Sequence, residues 1–252
     1  MKKKAYAKVN IFLKIVGKKD GYHLLNSRFM LVKNLYDEIE FKPKEKGTEF
    51  VLEGKFGCKT EQNSIYKIYQ ELKRFKKVEE FFQTHKVVVQ KNIPEFAGLG
   101  GGSSDSAAFL NLCNEVLGLN LSIDERVRIG KKVGSDVAFF IYEYDSANVS
   151  GFGEIVKRYD EEPLFIKTFT PPIKCSTPKV YQKFSSDFLK FETDFAKNLM
   201  ETNSKEILQN YKKEQLNDLF EPALLLCPKL KEYIKPHHFF SGSGSSLFWI
   251  EE

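Results

Sequence analysis

The stretch Pro94 to Ala108, PEFAGLGGGSSDSAA, sets the tightest limit on how this chain can fold. Gly98, Gly100, Gly101 and Gly102 stand directly before Ser103, Ser104, Asp105 and an apolar run. Glycine has no Cβ, so successive backbone N–H groups can turn toward one point and a ligand can come close. Ser103 or Ser104 can cap the helix that follows, and the spare N–H groups of its first turn add partial positive charge. The pattern predicts a phosphate cradle leading into a helix N-terminus. Within it, Gly101 is expected to take a positive φ that a branched side chain would resist. A P-loop would place Lys and then Ser or Thr after the last glycine, whereas Gly102 is followed by Ser103. A dinucleotide fingerprint counted from Gly98 requires glycine at its sixth position, which is also Ser103. A flexible connector, the remaining alternative, has no need of an apolar helix fused to it.

With 252 residues the chain can form one large domain or two small ones with a real core. A net charge of +5, from 39 basic and 34 acidic residues, is mild and would suit polyanionic small substrates. The lysines are scattered, so no nucleic-acid stripe is evident. Cys58, Cys113, Cys175 and Cys227 form no C-x-x-C pair and read as reduced core thiols. Met1-Lys2-Lys3-Lys4 imitates a signal-peptide start, but Lys8, Asn10 and Lys14 interrupt the apolar stretch after it. No run approaches the roughly 18 apolar residues of a membrane helix. A cytoplasmic protein is expected.

The coarse pattern is mixed α/β. Residues 4–16 alternate like a strand, with Val9, Ile11, Leu13 and Ile15 on one side and Lys8 and Asn10 on the other. Residues 26–42 hold two more apolar runs, with Asn34 and Asp37 as breakers. A helix is predicted over 63–75, a strand over 86–90, and a helix from the glycine loop to Val116 with Gly118 as its stop. Ser122-Ile123-Asp124-Glu125 is a capping box for a helix that Gly134 ends. Beyond Glu154, prolines punctuate short strands, residues 184–230 are mostly helical in pattern, and a glycine turn precedes a strand at 246–250.

Pro94-x-x-x-Gly98-Leu99-Gly100-Gly101-Gly102-Ser103-Ser104-Asp105 resembles the ATP loop of the GHMP small-molecule kinases. Ala7-Lys8-Val9-Asn10 with Gly21-Tyr22-His23, Gly134-Ser135-Asp136-Val137, Asn217-Asp218 and Ser241-Gly242-Ser243-Gly244 follow in the family's order. The resemblance runs from about Lys4 to Ile250, and the Tyr-His pair is specific to a branch acting on a cytidine-diphosphate polyol. It implies an α+β, two-domain GHMP kinase fold. Residues 1–155 would form a ribosomal-protein-like N-terminal domain with the ATP loop and catalytic residues, and 156–252 a ferredoxin-like C-terminal domain. Relatives commonly continue beyond the position of Ile250, so that second domain is expected to be trimmed, with its last strand at a sheet edge. The implied activity is ATP-dependent phosphorylation of the polyol's 2-hydroxyl in non-mevalonate isoprenoid synthesis, with Mg2+.

The residues can be weighed against that implication. Phosphoryl transfer to an alcohol needs positioning, charge neutralisation and a group to take the hydroxyl proton. Asp136 is a candidate for that group or a plain helix N-cap. Lys8 would favour its ionised form and stabilise charge on the transferred group, or it is an exposed strand lysine. The resemblance favours the catalytic reading of both. It assigns ATP to Pro94, Glu95, Phe96, Ala97, Gly98, Leu99, Gly100, Gly101, Gly102, Ser103 and Ser104. Asn10 could hydrogen-bond the polyol, Tyr22 stack on a flat heterocycle and His23 bond its edge. Thr177, Pro178 and Tyr181 resemble the opposite wall, although Tyr181 could equally be ordinary packing. Asp105 would repel a triphosphate unless magnesium lay between them, with Ser104 as a ligand; an exposed first-turn aspartate explains it equally well. His85, His237 and His238 read as surface residues. Ala138 stands where the family carries proline next to the candidate base. Mevalonate or homoserine as acceptor is disfavoured by Tyr22-His23. An RNA-binding use of the same scaffold would need clustered basic residues and stacking aromatics that are not found.

Overall fold

The structure is a computed structural model that describes residues 1–251. Strands β1 (Lys2–Lys19) and β2 (Tyr22–Pro43) are followed by β3 (Leu52–Glu53), α1 (Ser64–Leu72), α2 (Lys76–Thr84), β4 (His85–Gln90), α3 (Gly101–Val116), α4 (Ile123–Lys131) and α5 (Val137–Tyr142). Then come β5 (Ser146–Gly151), β6 (Ile155–Arg158), β7 (Ile166–Phe169), α6 (Thr177–Asp187), α7 (Thr193–Glu201), α8 (Ser204–Asn210), α9 (Lys213–Leu216), α10 (Phe220–Leu226), β8 (Phe239–Phe240) and β9 (Leu247–Ile250). The chain forms two compact units, one of residues 1–7, 35–95 and 101–143, the other of residues 8–34, 96–100 and from Tyr144 onward. The units interleave along the sequence, and β1 and β2 contribute to both.

In the first unit, β4 pairs antiparallel with the end of β2, Glu38 facing Gln90, and parallel with β3. Its core is aromatic. Phe50 stacks on Tyr69 at 4.0 Å, and Phe41, Phe82 and Phe109 meet edge to face or tilted at 5.3–5.9 Å. In α1, the Asn63 side chain accepts from the Ile65 N–H, so the expected start holds. The helix stops at Leu72 and a separate α2, absent from the sequence reading, follows. The Ser122–Glu125 capping box is formed in both directions, but α4 ends at Lys131, three residues before Gly134. Gly118 takes φ +57° just after α3, as its stop role requires.

In the second unit, β5 pairs with β2 and with β6, and a separate three-stranded sheet has the order β7-β9-β8. The last strand is therefore central, not an edge, because the β8 strand adds to its free side. Asp20 and Gly21 both have positive φ and make the tight β1–β2 turn that matches strand twist. Neither Asn34 nor Asp37 breaks β2. The Asn34 amide donates to the Ile166 carbonyl, and Asp37 accepts from the Asn92 and Ile93 N–H groups, so both side chains are satisfied without ending the strand. Residues 7–15 of β1 are buried on both faces, so the expected alternation is one of chemistry rather than exposure.

Arg28 on β2 is fully buried and organises this unit. Its guanidinium lies 3.3 Å from the Tyr159 ring centroid and donates to Asn148 Oδ1 (2.5 Å), Met200 O (2.8 Å) and Ser204 Oγ (3.2 Å). Glu161, 3.4 Å away and equally buried, also accepts from Ser146 and Ser204. Five donors in a planar fork tie the end of α7 and the start of α8 to β2 and β5. Removing one partner of a buried pair leaves an uncompensated charge and typically costs about 3–5 kcal/mol. Arg28→Met is expected to lower the urea unfolding free energy by an amount of that order. A loss below about 1 kcal/mol, the scale of a surface pair, would show that Arg28 does not hold the unit together.

Candidate active site

Lys8 and Asn10 lie two apart on β1 and so project on the same face. Lys8 is 3% exposed, which rules out the exposed-lysine alternative. Its ammonium donates to Asn10 Oδ1 at 2.7 Å and lies 4.4 Å from the centroid of the Phe29 ring. The Asn10 amide donates to Ser27 Oγ at 2.9 Å, and the Ser27 hydroxyl donates to the Phe12 carbonyl. The result is a satisfied polar chain in a buried setting. Its backbone is anchored as well, because the Lys8 N–H donates to the Leu99 carbonyl of the glycine loop at 2.9 Å.

Gly98 and Gly100 take φ +77° and +71°, and Phe96 takes +55°. A Cβ at Gly98 would lie 2.2 Å from the Ser241 carbonyl oxygen, so only glycine fits there. Ser241 Oγ donates to the Gly98 carbonyl at 2.9 Å, and the Ser246 N–H to the Ala97 carbonyl at 3.1 Å. The second glycine turn thus packs directly on the first. Asn217 holds it in place by donating to the Phe240 and Gly242 carbonyls at 2.9 and 3.0 Å. Asp218 accepts from the Ile15 N–H and from Lys14. These are structural duties that the sequence motifs Asn-Asp and Ser-Gly-Ser-Gly did not reveal.

The first unit carries the rest of the loop. Helix α3 already begins at Gly101, which has no positive φ, contrary to expectation. Ser103 and Ser104 therefore lie within its first turn and do not cap it; Ser104 is buried. The Gly102 carbonyl accepts from Ser64 Oγ at 2.8 Å, and Glu95 accepts from the Gly57 N–H. Asp136 immediately precedes α5, but with helical backbone angles and no side-chain cap hydrogen bond. Its half-buried carboxylate is not spent on capping.

At the β1–β2 turn, Tyr22 is 69% exposed and its ring meets Phe152 edge-on at 5.8 Å. His23 Nε2 is 2.7 Å from Ser185 Oγ, and its ring contacts Tyr181 at 5.1 Å and Phe184 at 5.9 Å. Burial, then Lys18, lowers the His23 pKa, which favours the neutral ring. A base sandwiched between two rings needs about 7 Å, two stacking distances. His23 and Tyr181 thus form one wall rather than two facing ones. Pro178 occupies the first turn of α6, and Thr177 Oγ1 bonds Ser243 Oγ at 2.7 Å. Of the histidines read as surface groups, His238 is buried and stacks on Trp249 at 5.0 Å, and His85 stacks on Phe81 at 4.0 Å.

Residues 63–144 match the GHMP kinases N terminal domain. The 4-diphosphocytidyl-2-C-methyl-D-erythritol kinase of Sulfurimonas denitrificans is 52% identical over 99% of this chain and 96% of its own length. This chain belongs to the 4-diphosphocytidyl-2-C-methyl-D-erythritol kinase family. The kinase of that name from Campylobacter jejuni subsp. doylei is 44% identical over 98% of this chain and 99% of its own. A crystal structure of 4-(cytidine 5'-diphospho)-2C-methyl-D-erythritol kinase superposes with a TM-score of 0.79 at 27% identity, covering all of this chain and 90% of that one. A mevalonate kinase from Methanococcus jannaschii, at 14% identity and a TM-score of 0.62, shares the fold. The α+β GHMP kinase fold expected from the motifs is thus the fold of this family member.

In this member of the kinase family, sequence reading missed one charged cluster beside the loop. Lys91 donates to Asp105 Oδ2 at 2.7 Å and to Asp37, and all three side chains are at least nine-tenths buried. Asp105 is therefore not an exposed first-turn residue. Its Oδ1 is buried without a hydrogen-bond partner. One ammonium serves two carboxylates. The Asp105 pKa is pushed up to about 7, by burial first; Lys91 opposes the shift and Asp37 adds to it. Burial opposes, but Asp105 and Asp37 outweigh it, and the Lys91 pKa is raised. The folded state then holds a proton on Asp105 that the unfolded chain, at 3.8, releases. This group's contribution to stability is fully present below about pH 3.8 and is lost as pH rises through about 7. Asp105→Asn keeps an acceptor for Lys91 and cannot ionise. It is expected to gain stability relative to the wild type between about pH 4 and pH 8, read by urea unfolding. A stability difference that does not change across that range would mean that Asp105 is not shifted.

Proposed function

We propose that this chain transfers the γ-phosphoryl group of ATP to the 2-hydroxyl of 4-diphosphocytidyl-2-C-methyl-D-erythritol, a step of the non-mevalonate isoprenoid pathway. The observation that carries this reading is 52% identity, over almost the whole of both chains, to a kinase of that name. The partners are two small molecules, ATP and the cytidyl polyol. The setting we propose is the cytoplasm; no helix among the described residues is long and apolar enough to cross a membrane. For function we divide the chain at 155/156, the N-terminal part carrying the ATP loop and the catalytic pair.

Residues 94–104 hold the ATP phosphates through backbone N–H groups and the start of α3, where partial positive charge meets the anion. Asp136 takes the proton of the attacking hydroxyl, a role supported by its place in Gly134-Ser135-Asp136-Val137. Lys8, pre-ordered by Asn10, stabilises charge on the transferred group. Asn10 also bonds the polyol. The exposed face of Tyr22 stacks on cytosine while His23 bonds its edge, with Thr177, Pro178 and Tyr181 behind the imidazole. Magnesium fits this chemistry as a cation carried on the phosphates with few protein ligands, Ser104 being one. When bound, the cation neutralises charge on the β- and γ-phosphate oxygens.

Removing a general base typically costs about 10²–10⁴-fold in rate. Asp136→Asn is expected to fold normally and lose kcat by that factor, and Lys8→Met by a comparable one. The double variant should lose little more than either, because groups acting as a unit are not additive. ADP release under saturating substrates measures this. An Asp136→Asn protein turning over near the wild-type rate would remove Asp136 from the chemistry.

Binding energy from a remote part of a substrate positions its reacting end, so truncation should lower turnover as well as affinity. Free methylerythritol is therefore expected to be phosphorylated with both a lower kcat and a higher KM than its cytidyl derivative. Equal kcat/KM for the two would sink the assignment of Tyr22 and His23 to the cytosine.

A further inference from the structure

Two of the four cysteines, far apart in sequence, are brought together by the fold. Cys175 lies in the irregular segment between β7 and α6, and Cys227 just after α10. The Cys175 thiol donates to Cys227 Sγ at 3.7 Å, and the Cys227 thiol reaches the Lys174 carbonyl at 3.9 Å. A disulfide needs about 2.0 Å between sulfurs, so an approach of about 1.7 Å closes the gap. Cys227 is held at the end of α10, its N–H donating to the Ala223 carbonyl at 2.8 Å and its carbonyl accepting from the Leu230 N–H at 2.9 Å, whereas Cys175 lies in irregular backbone, so the adjustment falls on the Cys175 side. Cys175 is 4% exposed, whereas Cys227 is half-buried beside the exposed Leu225 and Leu226.

We propose that Cys175 and Cys227 form a redox modification site, a dithiol that a peroxide converts to a disulfide, and that the cross-link acts on the start of α6. The accessible sulfur reacts first. Cys227 sulfur attacks one peroxide oxygen, the O–O bond breaks, an S–O bond forms, and the other oxygen leaves as water with the thiol proton. Cys175 sulfur then attacks Cys227 sulfur. The S–S bond forms, the S–O bond breaks, and the hydroxyl departs as water with the Cys175 proton. Two thiols lose two electrons, and one peroxide becomes two waters. Burial first, then the neighbouring sulfur, pushes the Cys175 thiol up to about 12, so Cys175 is the protected partner and its attack is the slow step.

The consequence follows from position. Cys175 is two residues before Thr177, whose hydroxyl bonds Ser243 in the glycine turn that packs on Gly98 and approaches Asn10. Pulling Cys175 toward α10 displaces the first turn of α6, which carries Thr177 and Pro178 and leads into Tyr181. This second half of the inference rests on the proposed substrate wall.

The test uses the full chain treated with hydrogen peroxide, then alkylated and digested without reductant. The expected result is a Cys175–Cys227 linked peptide and an intact mass lower by two hydrogen atoms. Both are reversed by dithiothreitol and absent from Cys227→Ser. Oxidation should also raise the KM for the cytidyl substrate several-fold, with the Cys175→Ser/Cys227→Ser variant insensitive. Recovery of Cys227 only as sulfinic acid or as an alkylated thiol, with Cys175 unlinked, would overturn the site. A linked protein with unchanged KM would overturn its action on α6. A reduced protein inactive on the cytidyl polyol would instead defeat the functional reading and leave the peptide map decisive for the thiol pair.

Discussion

The close approach of Gly98 to Ser241 is the contact on which the functional end of the second unit depends. With any side chain at 98, a carbon would stand 2.2 Å from a carbonyl oxygen, and backbone would have to move. The same residue is left-handed, so glycine is required twice over, for conformation and for space. Through this contact three segments remote in sequence become one assembly. The loop binds β1 at Lys8 through the Leu99 carbonyl, and the 241–246 turn through Ala97 and Gly98. Asn217, on the far side of that turn, fixes it by two hydrogen bonds from one amide. The position of the Lys8 ammonium is thereby coupled to two glycine turns.

The second theme is buried charge that is fully partnered. Lys8 meets Asn10 and a phenyl face, Lys14 meets Asp218, and Arg28 meets a ring of carbonyls and Glu161. All three basic side chains project from β1 and β2 in the second unit. Ionic groups in such places stabilise little in net terms, because desolvation offsets attraction. They do penalise any register in which a partner is missing. That selectivity fixes where each ammonium and guanidinium sits.

The Asp37–Lys91–Asp105 cluster plays the matching part in the first unit. It joins the end of β2, the residue after β4 and the second turn of α3, and so fixes how the chain enters and leaves the glycine-rich segment. One ammonium faces two carboxyl groups, and burial keeps a proton on Asp105 up to about pH 7.

How much of this was legible in the sequence varies with the range of the interaction. The glycine loop, α3 and the Ser122 capping box were readable because each is decided by backbone conformations and hydrogen bonds within a few residues. The family motifs were readable for the same reason of local spacing. The reading failed where a distant partner changed a residue's role. Asn34 and Asp37 look like strand breakers until the Ile166 carbonyl and the Asn92 and Ile93 N–H groups satisfy them. His238 looks like a surface residue until Trp249 covers it, and the final strand looks like an edge until β8 pairs with it. Ser103 looks like a cap, but the helix starts two residues earlier. The sequence alone determined which residues could turn, cap, carry charge or cradle an anion. Only the tertiary structure decided which of them are buried and with whom, because burial and pairing depend on contacts across tens to hundreds of residues that no local pattern encodes.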